Sequence, residues 1–286
     1  MVRNLCALAA LVLISFVVKS SPPGAPTGPF TIPDTEVFEY TSPSLDRTYP
    51  IYVYLPPSYN KDAERRFPVV FVNDGPYAFP VAAGALSVPM NAGYLQEFVV
   101  VGIGFSKGDN KMLSRIRDYT PSVDENWKDL NPGEAAQYTN FLANELIPLI
   151  EENYRVVSDR RTLVGHSAGG LYGSYVLLSQ PELFDNYVIL SPALFFDNRF
   201  IFGQEKKFAE KHKDLNARVY FAVGTAEQPP VMHTDWVKDQ EAFVRSLLSR
   251  NYPSLTIFDE MIEGGLHETT YPQGFVRGMQ WLFRAK

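Results

Sequence analysis

The sequence predicts a single α/β domain with a mostly parallel, doubly wound sheet. Short, continuously apolar runs at residues 68–73 (PVVFVN) and 98–103 (FVVVGI) are typical of strands buried on both faces. Strand-like segments alternate with amphipathic helical segments along the chain, which is the pattern of a parallel sheet covered by helices. In such sheets the reactive groups lie on loops at the carboxyl ends of the strands.

Eight strands are expected along the chain. Residues 36–41 and 48–55 form an antiparallel pair, and the second of them ends at Pro56-Pro57. The two apolar runs named above follow as the third and fourth strands. The other four strands are expected at residues 161–165, 187–190, 219–223 and 255–261.

Three amphipathic helices with one apolar face each are expected at residues 138–150, 236–247 and 275–283. Pro148 should kink the first of them, because proline has no N–H to continue the helical hydrogen bonds. Pro272 is expected in the first turn of the third helix, where a missing N–H is tolerated. The sequence contains no internal repeat, heptad seam or low-complexity tract, so one domain is expected over residues 34–286.

Residues 1–20 are expected to be a secretory signal peptide. Arg3 precedes an apolar run at residues 5–18, which is shorter than the about 20 residues needed to span a bilayer. Cleavage after Ser20 would leave a flexible arm rich in Pro, Gly and Ser at residues 21–33. An uncleaved membrane anchor is the alternative. The prediction implies a secreted, periplasmic or lumenal protein with no membrane span in the mature chain.

Composition and charge exclude several classes of function. The chain has 26 basic and 32 acidic residues, a net charge of −6, and loss of Arg3 and Lys19 would make it 24 − 32 = −8. Such a surface disfavours nucleic acid as a partner. The one cysteine, Cys6, lies in the signal segment, so the mature chain would have no disulfide and no thiol nucleophile. With four histidines and no nucleotide or metal motif, neither a metal nor a cofactor is expected.

The segment TLVGHSAGGLYG, residues 162–173, indicates a nucleophile elbow. In such a turn a strand passes sharply into a helix, and the serine at the apex, here Ser167, has a strained backbone and an exposed hydroxyl. Gly165 and Gly169, two residues before and after the serine, would keep side chains clear of the neighbouring strand and helix. The pentapeptide also arises by chance, so the hypothesis depends on the partners that the rest of the chain supplies.

A serine hydroxyl needs a base, and His267 is the histidine whose position fits. It stands in a glycine-containing loop, EGGLHE, directly after the last strand and before the last helix. His166 adjoins the serine and should point away from it, His212 lies in a charged stretch, and His233 precedes a helix.

The orienting acid should follow the preceding strand, and Glu227 in the segment GTAE takes that place. Asp235 and Asp239, slightly further along the chain, are the competing carboxylates. The resulting order of serine, acid and histidine is that of α/β-hydrolases, and it differs from the orders found in the chymotrypsin and subtilisin families.

With these residues the chain resembles the "putative esterase" branch of the α/β-hydrolases, which includes siderophore-trilactone esterases, S-formylglutathione hydrolases, feruloyl esterases and mycolyltransferases. The matching stretches cover most of residues 47–285: NDG (73–75), RIRDYTP (115–121), ELIPLIEENY (145–154), GHSAGG (165–170), SPALFFD (191–197) and GTAE (224–227). RIRDYTP together with SPALFFD most resembles the siderophore esterases. GTAE resembles the Gly-Thr-Ala-acid of S-formylglutathione hydrolases, which supports Glu227, although some siderophore esterases are described as using a Ser–His pair alone.

Two backbone N–H groups should form the oxyanion hole, one from Ala168 and one from the loop after the third strand. In several members of the branch the second donor follows the Asp-Gly, but here that residue is Pro76, which has no N–H. Gly75 and Tyr77 are the alternatives.

Side chains on loops near the expected site are candidates for substrate contact. Phe195 and Phe196 are predicted to bind substrate, with core packing as the alternative. Arg115 and Arg117 could meet an anionic substrate, although a salt bridge, for example with Asp118, is the favoured role.

These features predict a secreted serine carboxylesterase that acts as a monomer, without a cofactor, on a small-molecule ester through an acyl-enzyme. Siderophore-type trilactones and aromatic acyl esters are the substrates that the resemblance implies. Two alternatives stay open: an acyltransferase with the same three residues, which passes the acyl group to a sugar or alcohol, and a non-catalytic binding module on the hydrolase fold. The intact serine, acid and histidine argue against the binding module.

Overall fold

The computed structural model describes residues 28–285. The expected signal peptide and most of the expected arm at residues 21–33 lie outside the described part of the chain. Of these, residues 32–285 belong to one compact unit. Within residues 28–285 no helix is both long and apolar enough to cross a membrane.

All eight predicted strands are present, and they form one sheet. In chain order they are β1 (Thr35–Ser42), β2 (Arg47–Tyr54), β3 (Phe67–Val72), β4 (Val99–Ile103), β5 (Val156–His166), β6 (Asn186–Leu190), β7 (Ala217–Gly224) and β8 (Leu255–Ile262). Their order in the sheet is β1-β2-β4-β3-β5-β6-β7-β8. β2 is antiparallel to both of its neighbours, and every other adjacent pair is parallel.

Helices cover both faces of this sheet. One face carries α1 (Gly75–Asn91) and α8 (His267–Phe283). The other carries α2 (Lys111–Tyr119), α3 (Ala135–Phe141), α4 (Ile147–Asn153), α5 (Ala168–Ser179), α6 (Phe196–Lys211) and α7 (Trp236–Ser249). Each face has its own buried core, and successive residues of a strand point into opposite cores, as Leu163 and Val164 of β5 do. The mostly parallel, doubly wound sheet predicted from the sequence is therefore confirmed.

Three helices, α1, α2 and α6, were not among the predicted elements. α1 contains Pro80 and Pro89, residues that normally interrupt a helix, and its many alanines and apolar residues give no amphipathic period. The tertiary contacts of Phe79 and Leu86, both buried against the sheet, hold it as a helix nonetheless. α6 starts with left-handed backbone angles at residues 197–199, which also hides it from a periodicity search.

The two prolines singled out in the sequence take different places. Pro148 lies in the first turn of α4, directly after a π-helical turn, Leu142–Leu146, that joins α3 to α4. Pro148 has no N–H to donate to the carbonyl of residue 144, so regular α-helical hydrogen bonding cannot continue there. The π-helical turn takes the place of the expected kink. The expectation that Pro272 lies in the first turn of the last helix is wrong, since α8 begins at His267 and Pro272 lies inside it. The Thr269 hydroxyl accepts from the Leu266 N–H at 3.0 Å, which caps this earlier start.

Candidate active site

The segment predicted as a nucleophile elbow connects β5 to α5. β5 ends at His166, α5 begins at Ala168, and Ser167 between them has φ 62° and ψ −118°. A non-glycine residue in such a region costs roughly 1–3 kcal/mol and persists only where its surroundings impose it. Here the Ser167 N–H donates to the Leu190 carbonyl at 3.0 Å, and the Ser167 carbonyl accepts from the Ala193 N–H at 3.0 Å.

Close packing explains two of the three glycines around the elbow. A Cβ at Gly165 would lie 2.0 Å from the Gly169 carbonyl oxygen, and one at Gly170 would lie 2.9 Å from the Leu190 carbonyl oxygen. At Gly169 the nearest atom would be Asn73 Cβ at 3.5 Å, an ordinary van der Waals distance. The prediction that sterics require glycine is therefore confirmed at Gly165. In α5 the residue that has no room for a side chain is Gly170, and not Gly169 as predicted.

Glu227 and His267, which the sequence pairs as acid and base, are in contact. Glu227 Oε2 accepts a hydrogen bond from His267 Nδ1 at 2.7 Å. Glu227 is fully buried, and the His267 side chain is 15% exposed. Because Nδ1 is engaged by the carboxylate, Nε2 is the ring nitrogen of His267 that remains able to take a proton.

Three further donors hold the other oxygen of this carboxylate. Glu227 Oε1 accepts from Ser191 Oγ at 2.7 Å, from Thr270 Oγ1 at 2.7 Å and from the Gly224 N–H at 2.8 Å. Burial acts to raise the pKa of Glu227, but the hydrogen bonds led by His267 and Thr270 outweigh it, so the pKa lies below its usual value. The carboxylate is therefore ionised at neutral pH. Sequence reasoning did not identify Ser191 or Thr270.

Glycines bring the loop that carries the acid against the loop that carries the histidine. Gly224 ends β7 and Gly265 follows β8, and a Cβ at Gly224 would lie only 2.1 Å from the Gly265 carbonyl oxygen. Gly264 has φ +66°, a conformation that glycine adopts without strain. This close backbone contact places Glu227, which follows Gly224, beside His267, which follows Gly265.

The competing carboxylates have other partners. Asp235 caps α7, where its side chain accepts from the Lys238 N–H at 3.0 Å. Asp239 Oδ1 accepts from Arg199 Nε at 2.8 Å. Neither is hydrogen-bonded to a histidine within residues 28–285, so the acid that is paired with a histidine is Glu227.

The other three histidines differ in burial. His212 and His233 are exposed, and His212 stacks on Phe208 with ring centroids 4.2 Å apart. His166 is buried, and its Nε2 lies 2.8 Å from the His267 carbonyl oxygen. Since a carbonyl can only accept, Nε2 of His166 carries the proton. Burial, and then the neighbouring His267, lowers the pKa of His166 to about 3, so this ring is neutral at ordinary pH.

Ser167, His166 and His267 line one cavity of about 180 Å³ at the carboxyl edge of the sheet. Its other lining residues are Asp74, Tyr77, Lys111, Arg115 and Glu268. No hydrogen bond joins the Ser167 hydroxyl to the His267 ring in the described chain. Such contacts between a nucleophile and its base are often long until substrate binds.

Two cations border this cavity, and only one of them was singled out in the sequence. Arg115 donates from Nε and Nη2 to the two carboxylate oxygens of Asp74, at 2.7 and 3.0 Å. Lys111, the first residue of α2, was missed because α2 itself was not predicted. Arg117 is paired with Asp118, Nε to Oδ1, at 2.9 Å, which confirms the expected salt bridge.

The two phenylalanines predicted to bind substrate do not line this cavity. Phe196 opens α6 on its buried side and lies in the core. Phe195 packs edge-on against Trp236, with ring centroids 5.0 Å apart, and Trp236 packs in turn against the His267 ring at 4.5 Å. Both rings thus pack against other side chains, and contact of either with a substrate stays a prediction.

The candidate oxyanion donors differ in availability. The Tyr77 N–H donates to the Asp74 carbonyl at 2.9 Å and is therefore occupied. Gly75 and Ala168 are the first residues of α1 and α5, and N–H groups in the first turn of a helix have no partner inside the helix. This geometry favours Gly75 over Tyr77 as the second donor.

Comparison with known proteins agrees with this architecture. The chain matches the family model described as "Putative esterase" over residues 42–274. It is 30% identical over 219 residues to the ferri-bacillibactin esterase BesA of Bacillus subtilis, a match that covers 72% of this chain and 75% of that protein.

Solved structures show the same fold. The crystal structure of the BES protein from Bacillus cereus superposes with a TM-score of 0.77 at 25% identity, covering 91% of this chain and 99% of that one. The siderophore hydrolase EstB from Aspergillus nidulans gives a TM-score of 0.74 at 25% identity, covering 90% of this chain and 97% of that one. The fold is thus the α/β-hydrolase fold, and the relatives support hydrolysis of carboxylic esters. By its sequence and its structure, the chain belongs to the "Putative esterase" family.

Proposed function

We propose that this chain is a secreted serine esterase in which Ser167 is the nucleophile, His267 the general base and Glu227 the acid that orients the base. The observation that carries the proposal is the 2.7 Å contact between His267 Nδ1 and Glu227 Oε2, beside a cavity that Ser167 also lines. The strained backbone of Ser167 and the chain order of the three residues support the same reading.

In this mechanism Ser167 Oγ attacks the ester carbonyl carbon while His267 Nε2 takes the hydroxyl proton. The carbonyl π-electrons move onto its oxygen, and the tetrahedral intermediate collapses as the bond to the leaving alcohol breaks. His267 returns its proton to that alcohol, which leaves an acyl group on Ser167. Water then attacks the acyl-enzyme through the same proton transfers and releases the carboxylic acid, so the enzyme ends as it began.

Glu227 acts on the histidine and not on the substrate. Its negative charge holds Nδ1 protonated and stabilises the imidazolium that forms when Nε2 takes the serine proton. The four hydrogen bonds to this buried carboxylate keep it ionised and fix its orientation. This degree of support favours a triad over a Ser–His pair.

The proposed oxyanion donors are the N–H groups of Ala168 and Gly75. Each stands at the N-terminus of a helix, where the helix dipole adds a partial positive charge. One such donor is worth roughly 10²- to 10³-fold in kcat. The two helices follow neighbouring strands, β3 and β5, so both can serve one site.

The proposed substrates are esters of siderophore type or aromatic acyl esters. A ferri-bacillibactin esterase and a siderophore hydrolase are among the similar proteins. The cavity of about 180 Å³ is smaller than the roughly 300–1,000 Å³ of pockets that enclose a ligand, so it fits the ester group and its immediate substituents. Two cations, Lys111 and Arg115, and two carboxylates, Asp74 and Glu268, line the cavity. Because Arg115 is paired with Asp74, Lys111 is the cation available to an oxygen-rich substituent.

Export is also part of the proposal, and it rests on the N-terminal sequence. The apolar run at residues 5–18 after Arg3 has the form of a signal peptide. Expression of the full chain in a secreting host should yield a mature protein that begins at Ser21, as read by intact-mass measurement. A protein that keeps residues 1–20 and stays in the membrane fraction would speak for the anchor instead.

The proposed activity is tested with p-nitrophenyl butyrate and two serine variants of α5 and its preceding turn. Ser167→Ala should lower kcat by roughly 10³-fold or more, because the nucleophile is then absent. Ser174→Ala is the matched control: it removes another buried hydroxyl, which donates to the Gly170 carbonyl at 3.0 Å, and it should leave kcat unchanged. Equal activity of wild type and Ser167→Ala would refute the proposal.

A further inference from the structure

Two side chains from distant parts of the chain bind carbonyl groups in the first turn of α8. His166 Nε2 donates to the His267 carbonyl oxygen at 2.8 Å, and the Tyr77 hydroxyl donates to the Glu268 carbonyl oxygen at 2.9 Å. One donor comes from the end of β5 and the other from the first turn of α1. This turn carries the proposed general base, so whatever fixes the turn also fixes the base.

Pro272 explains why the Glu268 carbonyl needs an outside donor. In an α-helix the carbonyl of residue 268 accepts from the N–H of residue 272. Pro272 lies inside α8 and has no N–H, and its ring also crowds that carbonyl. The Tyr77 hydroxyl supplies the missing hydrogen bond. The Tyr77 ring is held at the same time, packed on Tyr271 of α8 with ring centroids 5.2 Å apart.

The alternation of side chains along β5 explains how His166 reaches α8. Val164 and His166 lie two residues apart in the strand and so point to the same face. Val164 belongs to the core under α1 and α8, together with Phe275 of α8. The His166 side chain therefore contacts the first turn of α8 from the sheet face that this helix covers. The next residue, Ser167, lies in the elbow and lines the cavity.

Two aromatic rings pack against the His267 ring. The His166 ring lies 4.6 Å from it between centroids, at 37°, and the Trp236 ring lies 4.5 Å from it, at 61°. With Glu227 at Nδ1, the imidazole has three side-chain neighbours in contact. A shift of the main chain of His267 would therefore disturb all three contacts together.

We propose that His166 and Tyr77 are positioning residues for His267, because their hydrogen bonds to consecutive carbonyls hold the first turn of α8 where the imidazole can serve Ser167. The inference rests on the proposed function, since it takes His267 to be the general base. Neither side chain takes part in proton transfer in this account. Both act through the main chain that carries the base.

Four variants test the proposal with p-nitrophenyl butyrate. His166→Leu and Tyr77→Phe each remove one donor, and each should lower kcat by about 10- to 100-fold, since displacement of a catalytic group by about 1 Å can cost that much. KM should change less than about twofold, because the two donor groups are engaged with carbonyls of α8 and are therefore not available to bind substrate, although both residues line the cavity. His166→Gln places an amide N–H at the same number of bonds from Cβ as Nε2, and it should restore kcat to within about threefold of wild type.

Tyr172→Phe is the matched control. It removes a buried hydroxyl that is paired with Thr139 Oγ1 at 2.9 Å, far from α8 in the other core, and should leave kcat and KM unchanged. Thermal unfolding of every variant separates lost positioning from lost folding. Should His166→Leu fail to fold, Tyr77→Phe still decides the matter, because Tyr77 is 37% exposed and loses only its hydroxyl.

Wild-type kcat in both His166→Leu and Tyr77→Phe would overturn the inference, and so would a His166→Gln variant as impaired as His166→Leu. Either result leaves the proposed function standing as long as Ser167→Ala is inactive. An active Ser167→Ala variant would overturn the proposed function, and this inference with it. Loss of kcat in the donor-deleting variants, rescue by glutamine and an unaffected control would establish it.

Discussion

The Glu227 carboxylate accepts four hydrogen bonds, although its proposed role of orienting His267 requires only one of them. Only one of its four donors is His267, and the other three, from Ser191, Thr270 and Gly224, bind the opposite oxygen. A buried carboxylate is costly unless its lone pairs are satisfied. The three extra donors offset that cost and leave Oε2 free to face the imidazole.

Glu227→Gln should lower kcat by about 10²- to 10⁴-fold with KM little changed, because the serine, the base and the oxyanion donors all remain. In either orientation the N–H₂ group of the new amide would face an N–H donor. At the position of Oε2 it would face His267 Nδ1–H, and at the position of Oε1 it would face the Gly224 N–H. Steady-state kinetics with p-nitrophenyl butyrate measure the loss.

The controls for this variant are Asp235→Asn and Asp239→Asn, which should stay within about threefold of wild type because both carboxylates have other partners. A nearly normal Glu227→Gln beside one crippled aspartate variant would assign the acid to that aspartate. If all three variants are nearly normal, the enzyme works with a Ser–His pair.

His166 should make the folded protein lose stability in acid. Its pKa is about 3 in the folded chain against an ordinary 6.5, so between these pH values the unfolded chain binds a proton that the folded chain does not. The free energy of unfolding therefore falls as the pH falls, by about 1.4 kcal/mol per pH unit within this window, or about 2 kcal/mol from pH 7 to pH 5. The charged or titratable groups nearby are His267, Glu227 and Arg115.

Urea unfolding of wild type and His166→Gln at pH 7 and pH 5 checks this prediction. The variant should lack the roughly 2 kcal/mol loss that His166 causes between pH 7 and pH 5. Glu227 also contributes to the pH dependence, because its lowered pKa stabilises the fold above its ordinary titration range, but this contribution is present in both proteins. Parallel pH dependence in the two proteins would contradict the prediction.

The sequence was sufficient to predict the three proposed catalytic residues, because their order along the chain is typical of α/β-hydrolases. Ser167, Glu227 and His267 each follow a predicted strand, and the structure brings the last two into contact beside a cavity that the serine lines. The support of Glu227 by Ser191 could not be predicted, because only the sheet order brings these residues together. The position of Thr270 could have been predicted, because it lies three residues after His267 and therefore on the same face of α8.

The elbow is an element whose glycines can be tested one by one. Gly165→Ala and Gly170→Ala should each destabilise the fold by about 2 kcal/mol or more, because the new methyl group meets main-chain atoms that cannot move aside. Gly169→Ala is the matched control in the same turn, and it should change stability by less than about 1 kcal/mol, since alanine favours the helix and has room. Urea unfolding measures the three, and equal losses would contradict this account of the elbow.

Helices were harder to predict than strands for a physical reason. The buried strands are continuous apolar runs, and such runs are visible in any single sequence. α1 and α8 instead contain prolines, which normally interrupt a helix. In α8 the hydrogen bond lost at Pro272 is replaced by a tertiary contact, from the Tyr77 hydroxyl to the Glu268 carbonyl, and α1 is held by the burial of residues such as Phe79 and Leu86. No local pattern reports such a contact, so α1 was missed and the start of α8 was placed too late.

At the scale of the whole molecule, the sheet order assembles the site. β5, β7 and β8 are parallel, and their carboxyl ends carry Ser167, Glu227 and His267 along one edge. The parallel character of the sheet could be predicted from alternating strands and helices. The exchange of β3 and β4 in the sheet order could not, because it depends on how the crossing helices pack and leaves no local signal.

Covalent labelling with a fluorophosphonate shows whether Ser167 is a nucleophile activated by His267. Such a reagent phosphonylates an activated serine with loss of fluoride, and tandem mass spectrometry of a digest locates the adduct. We expect one adduct, on the peptide that contains Ser167, no adduct in Ser167→Ala, and labelling slowed by about 10³-fold or more in His267→Ala. Labelling of a different residue, or equal labelling of wild type and Ser167→Ala, would show that Ser167 is not the activated nucleophile.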